Sequence, residues 1–437
     1  MAPLPMRLLP LVLLLCLGCN DNLSPPASPP GTQSAGTLSA DPQSADPPST
    51  ETSTTAEPVP PAEPVEFIPP PLSAAEISAG WISLFDGVSL YGWQLPQNSS
   101  WKVSNGQITA DSGAPSLLLT PYTLDDFEFR CGFKLAPGGN SGIFLRTTEN
   151  PTDPAVDAWE LNICDSHPSH RTGSLVGRYS APNVPAVEGD WHTYVVRCEG
   201  PRIQVWLDGK SIVDFTDQSA GLRLTGRLGL QYKEGQISFR DVCIRPLGLR
   251  PLFNGTDSSG WRPVPGSQAT FEVRDGILHI SGGPGFLETE QTFQDFALKA
   301  SARINGDGLN GGIFFRAEPG TADAPSNGYE LQLSNQTKSG DPTQPADFGT
   351  GAIFRRAPAR RVVAADNQFF TVVLIAQADQ FASWVNGWQV MTWRDQRPDD
   401  ANPRKGRRLR AGHISLQGHD AATSLDFQSI HLDQIRR

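Results

Sequence analysis

The chain repeats itself, and that feature constrains its fold more than any other. NSGIFLR at residues 140–146 returns as NGGIFFR at 310–316. Its surroundings return in the same order. LFDGVSLYGW (84–93) matches LFNGTDSSGW (252–261), and WKVSNGQI (101–108) matches FEVRDGIL (271–278). DDFEF (125–129) matches QDFAL (294–298), WELNI (159–163) matches YELQL (329–333), and TGSL (172–175) matches TGAI (350–353). IQVWLDGKSI (203–212) matches FASWVNGWQV (381–390), RLGLQ (227–231) matches HISLQ (413–417), and SFRDVCI (238–244) matches DFQSIHL (426–432). A fixed internal order of this kind means two copies of one folding unit. The copies are read as residues 73–248 and 249–437, with almost no linker between them.

Within each copy the pattern is one of short alternating strands. FEFRCGF sets Phe127, Phe129, Cys131 and Phe133 on one face, and Asn-Gly, Asp-Gly and Gly-Gly pairs punctuate the runs. The stretch IQVWLDGKSI reads as a hairpin turning at Asp208-Gly209. Many strands and no long amphipathic helix give an all-β, antiparallel β-sandwich in each copy. Only SAAEISAG (73–80) predicts a helix, short and capped by Ser73.

The first 72 residues are different in kind. Arg7, the apolar run LLPLVLLLCLG and Gly18-Cys19 read as a lipoprotein-type signal peptide over 1–18, with Cys19 the lipidated first residue. An ordinary secretory signal is the alternative, since Cys16 stands where such boxes carry Leu. Residues 19–72 are dominated by Pro, Ser, Thr, Ala, Asp and Glu, with no Lys or Arg between Arg7 and Lys102. That composition predicts a disordered tether. The expected location is outside the inner membrane of a bacterium, lipid-anchored on the periplasmic or cell-surface side, with the membrane met through the anchor only. A net charge of −11, with RKGRRLR (404–410) the only basic run, argues against a nucleic-acid partner.

Taken in order, LFDG…GW, W-x-V-x-x-G-x-I, NSGIFLR, E-x-N-x-x-D, TGSL, GDWHT, WLDG and LQ…FRDV resemble the 3-keto-disaccharide hydrolase domain family. The resemblance covers 80–248 closely and 249–437 more loosely. It implies tandem concanavalin-like jelly rolls, each with a concave sugar-binding face, and a carbohydrate ligand already oxidised at sugar carbon 3. Cleavage of such a 3-keto-glycoside proceeds by elimination and hydration, a net hydrolysis. A non-catalytic carbohydrate-binding protein of the same fold is the other reading.

The chemistry needs a base and a group facing an enolate oxygen. Glu160 or Asp165 is the candidate base, and Arg146 the candidate enolate partner. Alternation sets Phe144 and Arg146 on one face, and Glu160 and Asn162 on the polar face of the next strand. Arg and Glu are fourteen residues apart in both copies (146 and 160, 316 and 330), a spacing that suits side-by-side placement on adjacent strands. A purely structural ion pair explains the same spacing. Asn140, Asn162, His167 and Lys233 complete the candidate substrate-binding set in the first copy, with Lys233 where the family often carries histidine. His167 and His170 are alternative bases or metal ligands. No cofactor is called for, although a divalent metal is compatible with the chemistry.

The second copy keeps Arg316, Glu330, Gln332 and His419 as candidate binding residues. It replaces Asp165 by Asn335, Ser141 by Gly311 and GDWHT by NQFFT, so activity is expected in the first copy. Cys131, Cys164, Cys198 and Cys243 are confined to that copy. An exported compartment permits bridges among them, and small buried thiols fit equally well.

Overall fold

The computed structural model describes residues 67–436 except 183 and 403–404. The signal peptide, Cys19 and most of the tether therefore lie outside the described residues. Residues 67–72, read as the end of that tether, run against the fold instead: the Phe67 ring meets Trp388 at 5.8 Å and Arg361 stacks over it at 5.0 Å.

Each copy is a sandwich of two antiparallel sheets, as the alternation predicts. In the first, the back sheet runs Lys210–Thr216, Arg202–Leu207, Trp191–Glu199, Phe127–Leu135, Ile237–Pro246, Gln107–Ala110 and Lys102–Ser104. Its front sheet holds β1 (Ser116–Leu119), β2 (Asn140–Thr147), β3 (Trp159–Ile163) and β4 (Arg227–Glu234), in the order β1-β4-β2-β3. In the second, the front sheet holds β5 (Trp261–Pro263), β6 (Gly285–Thr289), β7 (Gly311–Ala317), β8 (Tyr329–Leu333) and β9 (His413–Gly418), in the order β5-β6-β9-β7-β8. Its back sheet runs from Thr270–Arg274 to Trp388–Arg394 in the same arrangement as the first.

Phe127, Phe129, Cys131 and Phe133 are all buried, on the core-facing side assigned to them by period-two alternation. The helix over Ala74–Ala79 forms with a capping box, Ser73 Oγ accepting from the Glu76 N–H and Glu76 Oε2 from the Ser73 N–H. The four cysteines of the first copy are buried free thiols. Burial pushes Cys198 and Cys243 up to about 12, so they pack as small hydrophobes.

The copies are not beads on a string. Ala297, Val373, Ile375, Ala382 and Trp384, on the outer side of the second back sheet, join the hydrophobic core cluster of the first copy. Trp384 donates from Nε1 to the Ser83 carbonyl at 2.8 Å and meets the Tyr122 ring edge-on at 5.8 Å. Arg360 bridges to Asp86 at 2.8 Å while lying between the rings of Tyr91 and Trp388, at 4.0 and 4.1 Å. Truncating a fully buried tryptophan costs about 3–5 kcal/mol. Trp384→Ala is therefore expected to lower the urea-unfolding free energy by that amount, and tryptophan fluorescence and far-UV circular dichroism should report one shared transition.

Candidate functional site

The two arginines do not sit where strict alternation puts them. Arg146 has φ +49° and Arg316 φ +48°. Between β2 and β4 the register moves from Gly229↔Phe144 to Arg227↔Thr147, and β7 and β9 show the same slip from Phe314↔Ser415 to Ala317↔His413. Each arginine belongs to a bulge, and one extra residue reverses the face taken by the residues after it. Arg146 is thereby turned away from the Phe144 face and into the protein, where it is 0% exposed. Its Nε donates to the Asp125 carbonyl at 2.7 Å, Nη1 to the Gly200 carbonyl at 2.6 Å, and Nη2 to Asp126 Oδ1 at 2.8 Å. Arg316 repeats this with the Gln294 carbonyl at 2.6 Å, the Ala378 carbonyl at 2.5 Å and Asp295 Oδ1 at 3.0 Å.

Register sets neither arginine opposite the glutamate fourteen residues on. Cross-strand register puts Phe144, not Arg146, opposite Glu160, and Phe314 opposite Glu330. The cations tie the front sheet to the turns of the back sheet, a structural task. Asp165 is likewise a staple: it accepts from Thr172 Oγ1 at 2.6 Å and from the Val187 and Glu188 N–H groups at 2.6 and 3.1 Å. Removing one partner of a buried ion pair costs about 3–5 kcal/mol. Arg146→Met and Arg316→Met are each expected to lose stability in that range by chemical denaturation, whichever copy carries the activity.

What remains together on the outer face of the first front sheet is a different set. Register places Glu160 and Asn162 of β3, Gly142 and Phe144 of β2, Gly229 and Gln231 of β4, and Leu117 and Leu119 of β1 side by side across the four strands. Phe144 and Leu119 take no part in the sandwich core, which confirms that this is its outward side. Glu160 is 6% exposed and, among the described residues, makes no salt bridge. Burial pushes its carboxyl above the usual range, while Lys233 and a Gln231 hydrogen bond pull part of the way back. Gly142 makes room for it: a Cβ there would lie 3.2 Å from Glu160 Oε1 and 3.3 Å from Gln231 Oε1. That Gln231 oxygen is buried without a hydrogen-bond partner among the described residues.

Lys233 is exposed, and its charge acts on both Glu160 and His167. His167 is held below its usual pKa first by burial and then by His170 and Lys233. Its Nδ1 accepts from the Ser169 and His170 N–H groups, and the two imidazoles stand 5.6 Å apart. Asn162 donates from Nδ2 to the His170 carbonyl, so it holds the histidine loop. Asn140 opens β2 opposite Glu234. Among the described residues no three His, Cys, Asp or Glu side chains converge as a metal-binding group. Sequence reading missed Gln231, although the matched LQ pairs (Gln231 and Gln417) were visible.

A cleft of about 870 Å³ opens beside this set, lined by Gln94, Leu95, Leu117, Leu119, Phe144 and Gln231, with Asn150, Pro151 and Pro154 on the far wall. The same face of the second copy is filled. Val264, Phe286 and Phe314 form a separate buried cluster there, with the two rings edge-to-face at 5.3 Å. Arg262 pairs with the buried Glu288 at 2.7 Å. Glu330 sits against Gly312 as Glu160 does against Gly142. Gln332 is engaged by the Asp347 carbonyl and carboxylate at 3.0 and 2.7 Å, and His419 pairs with its neighbour Asp420 at 2.9 Å. Gln332 and His419 are thus committed to partners inside the second copy.

A tandem β-sandwich with a buried carboxylate, free of salt bridges among the described residues, at one outer face defines the class of protein. The chain belongs to the family of 3-keto-alpha-glucoside-1,2-lyase-like domains, matched twice, over residues 80–245 and 248–433. It is 26% identical over 148 residues to the 3-keto-disaccharide hydrolase of Bacteroides thetaiotaomicron, covering 26% of this chain and 50% of that protein. It is 23% identical over 258 residues to a levanase of Bacillus sp. (strain L7), covering 56% of this chain and 26% of that protein. The chain thus spans half or less of the length of these curated relatives. Among solved structures it is similar to a carbohydrate-binding module from Bacillus subtilis, at 18% identity and a TM-score of 0.29, covering 35% of this chain and 95% of that one.

Proposed function

We propose that the first copy cleaves glycosides oxidised to a ketone at carbon 3, with Glu160 as the base. The observation that carries this is the buried Glu160 carboxyl, free of salt bridges among the described residues, raised in pKa and bordered by a cleft. A carboxyl whose pKa burial raises, placed beside a cleft, is a candidate for a working base. Family membership and the names of the two relatives support a carbohydrate substrate.

The ketone at carbon 3 acidifies the hydrogen on carbon 2. Glu160 takes that proton, and the C2–H electrons become the carbon–carbon double bond of an enolate whose charge rests on the carbon 3 oxygen. Lys233 supplies positive charge on the same face for that oxygen. As the carbonyl re-forms, a double bond forms between carbons 1 and 2. The bond from carbon 1 to the glycosidic oxygen breaks, and the leaving oxygen takes up a proton. Addition of water across the enone, OH to carbon 1 and H to carbon 2, completes a net hydrolysis. Gln231 holds the carboxylate, and His167 borders the sugar. Arg146 and Asp165 have no part in this scheme, being bound within the scaffold.

Glu160→Gln is expected to lower turnover of a 3-keto-disaccharide by roughly 10²–10⁴-fold, whereas Glu330→Gln stays within a few-fold of the parent. Equal losses from both, or full activity of the first, would overturn the assignment. Because the folded-state pKa of Glu160 is raised, the folded protein binds that proton more tightly than the unfolded chain does. Its ionisation therefore costs stability as pH rises above the unfolded value. Glu160→Gln should be at least as stable as the parent at neutral pH, which a purely structural role would not allow.

Turnover should rise with pH around a midpoint above the roughly 4.3 of an exposed glutamate. Lys233→Met removes the charge that offsets burial, so that midpoint moves upward in a pH–rate profile. The further proposal that Cys19 carries a lipid anchor predicts that Cys19→Ala leaves the membrane fraction for the soluble one.

A further inference from the structure

The second copy carries an arginine-rich end that the chemistry at Glu160 does not use. Residues 353–361 hold four arginines and no acid, and residues 394–410 hold seven Arg or Lys against three Asp, in a chain of net charge −11. The matched stretches of the first copy, 175–183 and 216–226, hold two arginines and one aspartate. From Trp393 to Gly412 the second copy is also eight residues longer than the first is from Phe215 to Gly226. We propose that this end is a binding platform for an acidic polysaccharide, one with carboxylate or sulfate groups along its chain.

The longer loop is an ordered piece of structure. Asp395 is 0% exposed and accepts from Tyr329 Oη at 2.6 Å and from Arg397 Nη2 at 2.8 Å. Arg397 also donates to the Lys405 and Gly406 carbonyls at 2.9 and 3.1 Å, and the Arg408 N–H donates to Tyr329 Oη at 2.9 Å. Arg407 and Arg408 pair with Asp399 and Glu318. These contacts fix the loop and leave Arg355, Lys405 and Arg410 exposed, with no ion pair among the described residues. Arg355 has φ +58° where the matched Gly177 has φ +73°. A left-handed backbone favours glycine, so the arginine is kept there against local preference. Partial burial, and then the charges of Arg397 and Arg355, hold Arg356 below its usual pKa. Like charges crowd at this end, and a bound anion relieves them.

Ten of the eleven cations are arginine. Its planar fork meets two oxygens of an oxyanion at once, whereas lysine offers a point charge. Entry into a bilayer lacks a wedge. Phe67, Ile68, Leu95, Val156 and Phe369 are the large apolar side chains exposed among the described residues, and neither loop contains one. Single-stranded nucleic acid needs free aromatic faces. Here Arg355 covers Phe354 at 5.3 Å, and Trp393 stacks on Phe381 at 5.6 Å. Position favours a long glycan. Burial and, against the pull of Glu149, the charge of Arg394 hold Arg227 of the first copy below its usual pKa. Arg227 donates to Gln94 and stands 3.6 Å from Glu149, and both of these line the first-copy cleft. Arg394 thus links the platform to the side of that cleft.

Calorimetric titration of the full chain with polygalacturonate, dextran sulfate and neutral dextran tests this. An acidic glycan should bind, more weakly as salt rises, and neutral dextran should not. Comparing the two acidic glycans tells carboxylate from sulfate as the group preferred. Arg355→Gly, Lys405→Gln and Arg410→Gln together should weaken binding by about tenfold. Arg355→Gly alone, which restores the first copy's residue, should leave thermal unfolding intact and weaken binding by about twofold. Arg202→Gln, Lys210→Gln and Arg274→Gln together remove the same charge elsewhere and should leave affinity nearly unchanged. Equal losses from the two triple variants, no binding of either acidic glycan, or an affinity indifferent to salt would overturn the proposal. So would tighter binding to phosphatidylglycerol vesicles or single-stranded DNA. No turnover enters these measurements, so an inactive first copy leaves their outcome unchanged.

Discussion

Two buried guanidinium groups hold this protein together. Arg146 and Arg316 each reach from a front-sheet strand to carbonyls and a carboxylate at the back-sheet turns, closing one end of each sandwich. Charge-assisted bonds in a water-free setting are strong only when every donor has a partner, and here backbone carbonyls meet that need. The bulge that turns each arginine inward has a matching requirement next door. A Cβ on Gly226 would lie 2.2 Å from the Arg146 carbonyl carbon, and one on Gly412 would lie 2.3 Å from that of Arg316. Only glycine lets the neighbouring chain pass so close.

Moving the cation inside has an effect on the outer face. A guanidinium beside Glu160 would fix it as a carboxylate and lower its pKa. With Arg146 committed elsewhere, burial dominates and the exposed Lys233 only moderates it. The same bulge therefore stabilises the scaffold and leaves, at its outer face, a carboxyl whose charged form burial disfavours. In the second copy the bulge, the arginine and the glutamate all persist, and side chains of the copy itself fill the face beside them.

Much of this was legible in the sequence. Internal matching gave the two copies, alternation gave the faces of Phe127 to Phe133, and Ser73 with Glu76 gave the helix cap. Glu160 was legible too, as a carboxylate on a polar face. The arginine was misplaced because period-two reading assumes an unbroken strand, and nothing in GIFLR announces a positive φ at its last residue. The fourteen-residue spacing was real but measured a strand pair whose partners are Phe and Glu. Asp165 looked catalytic because a carboxylate in a loop near a polar strand is equally suited to capping backbone N–H groups. Leu117 and Leu95, which open the cleft, carry no mark in one dimension that separates them from core leucines.

The docking of the copies also has a direction. The second copy seats Ala297, Val373, Ile375, Ala382 and Trp384 in its partner, whereas the corresponding positions of the first copy are Glu128, Val195, Arg197, Gln204 and Trp206. There Arg197 and Arg245 both pair with Glu128, the former at 2.8 Å. Matched surfaces of the two units thus form a plug on one and an ion-paired wall on the other. Sandwiches of this type can stack like tiles, each back resting on the next. Polar residues at that wall withhold the apolar seat that another step would need, so growth by this contact has a built-in stop.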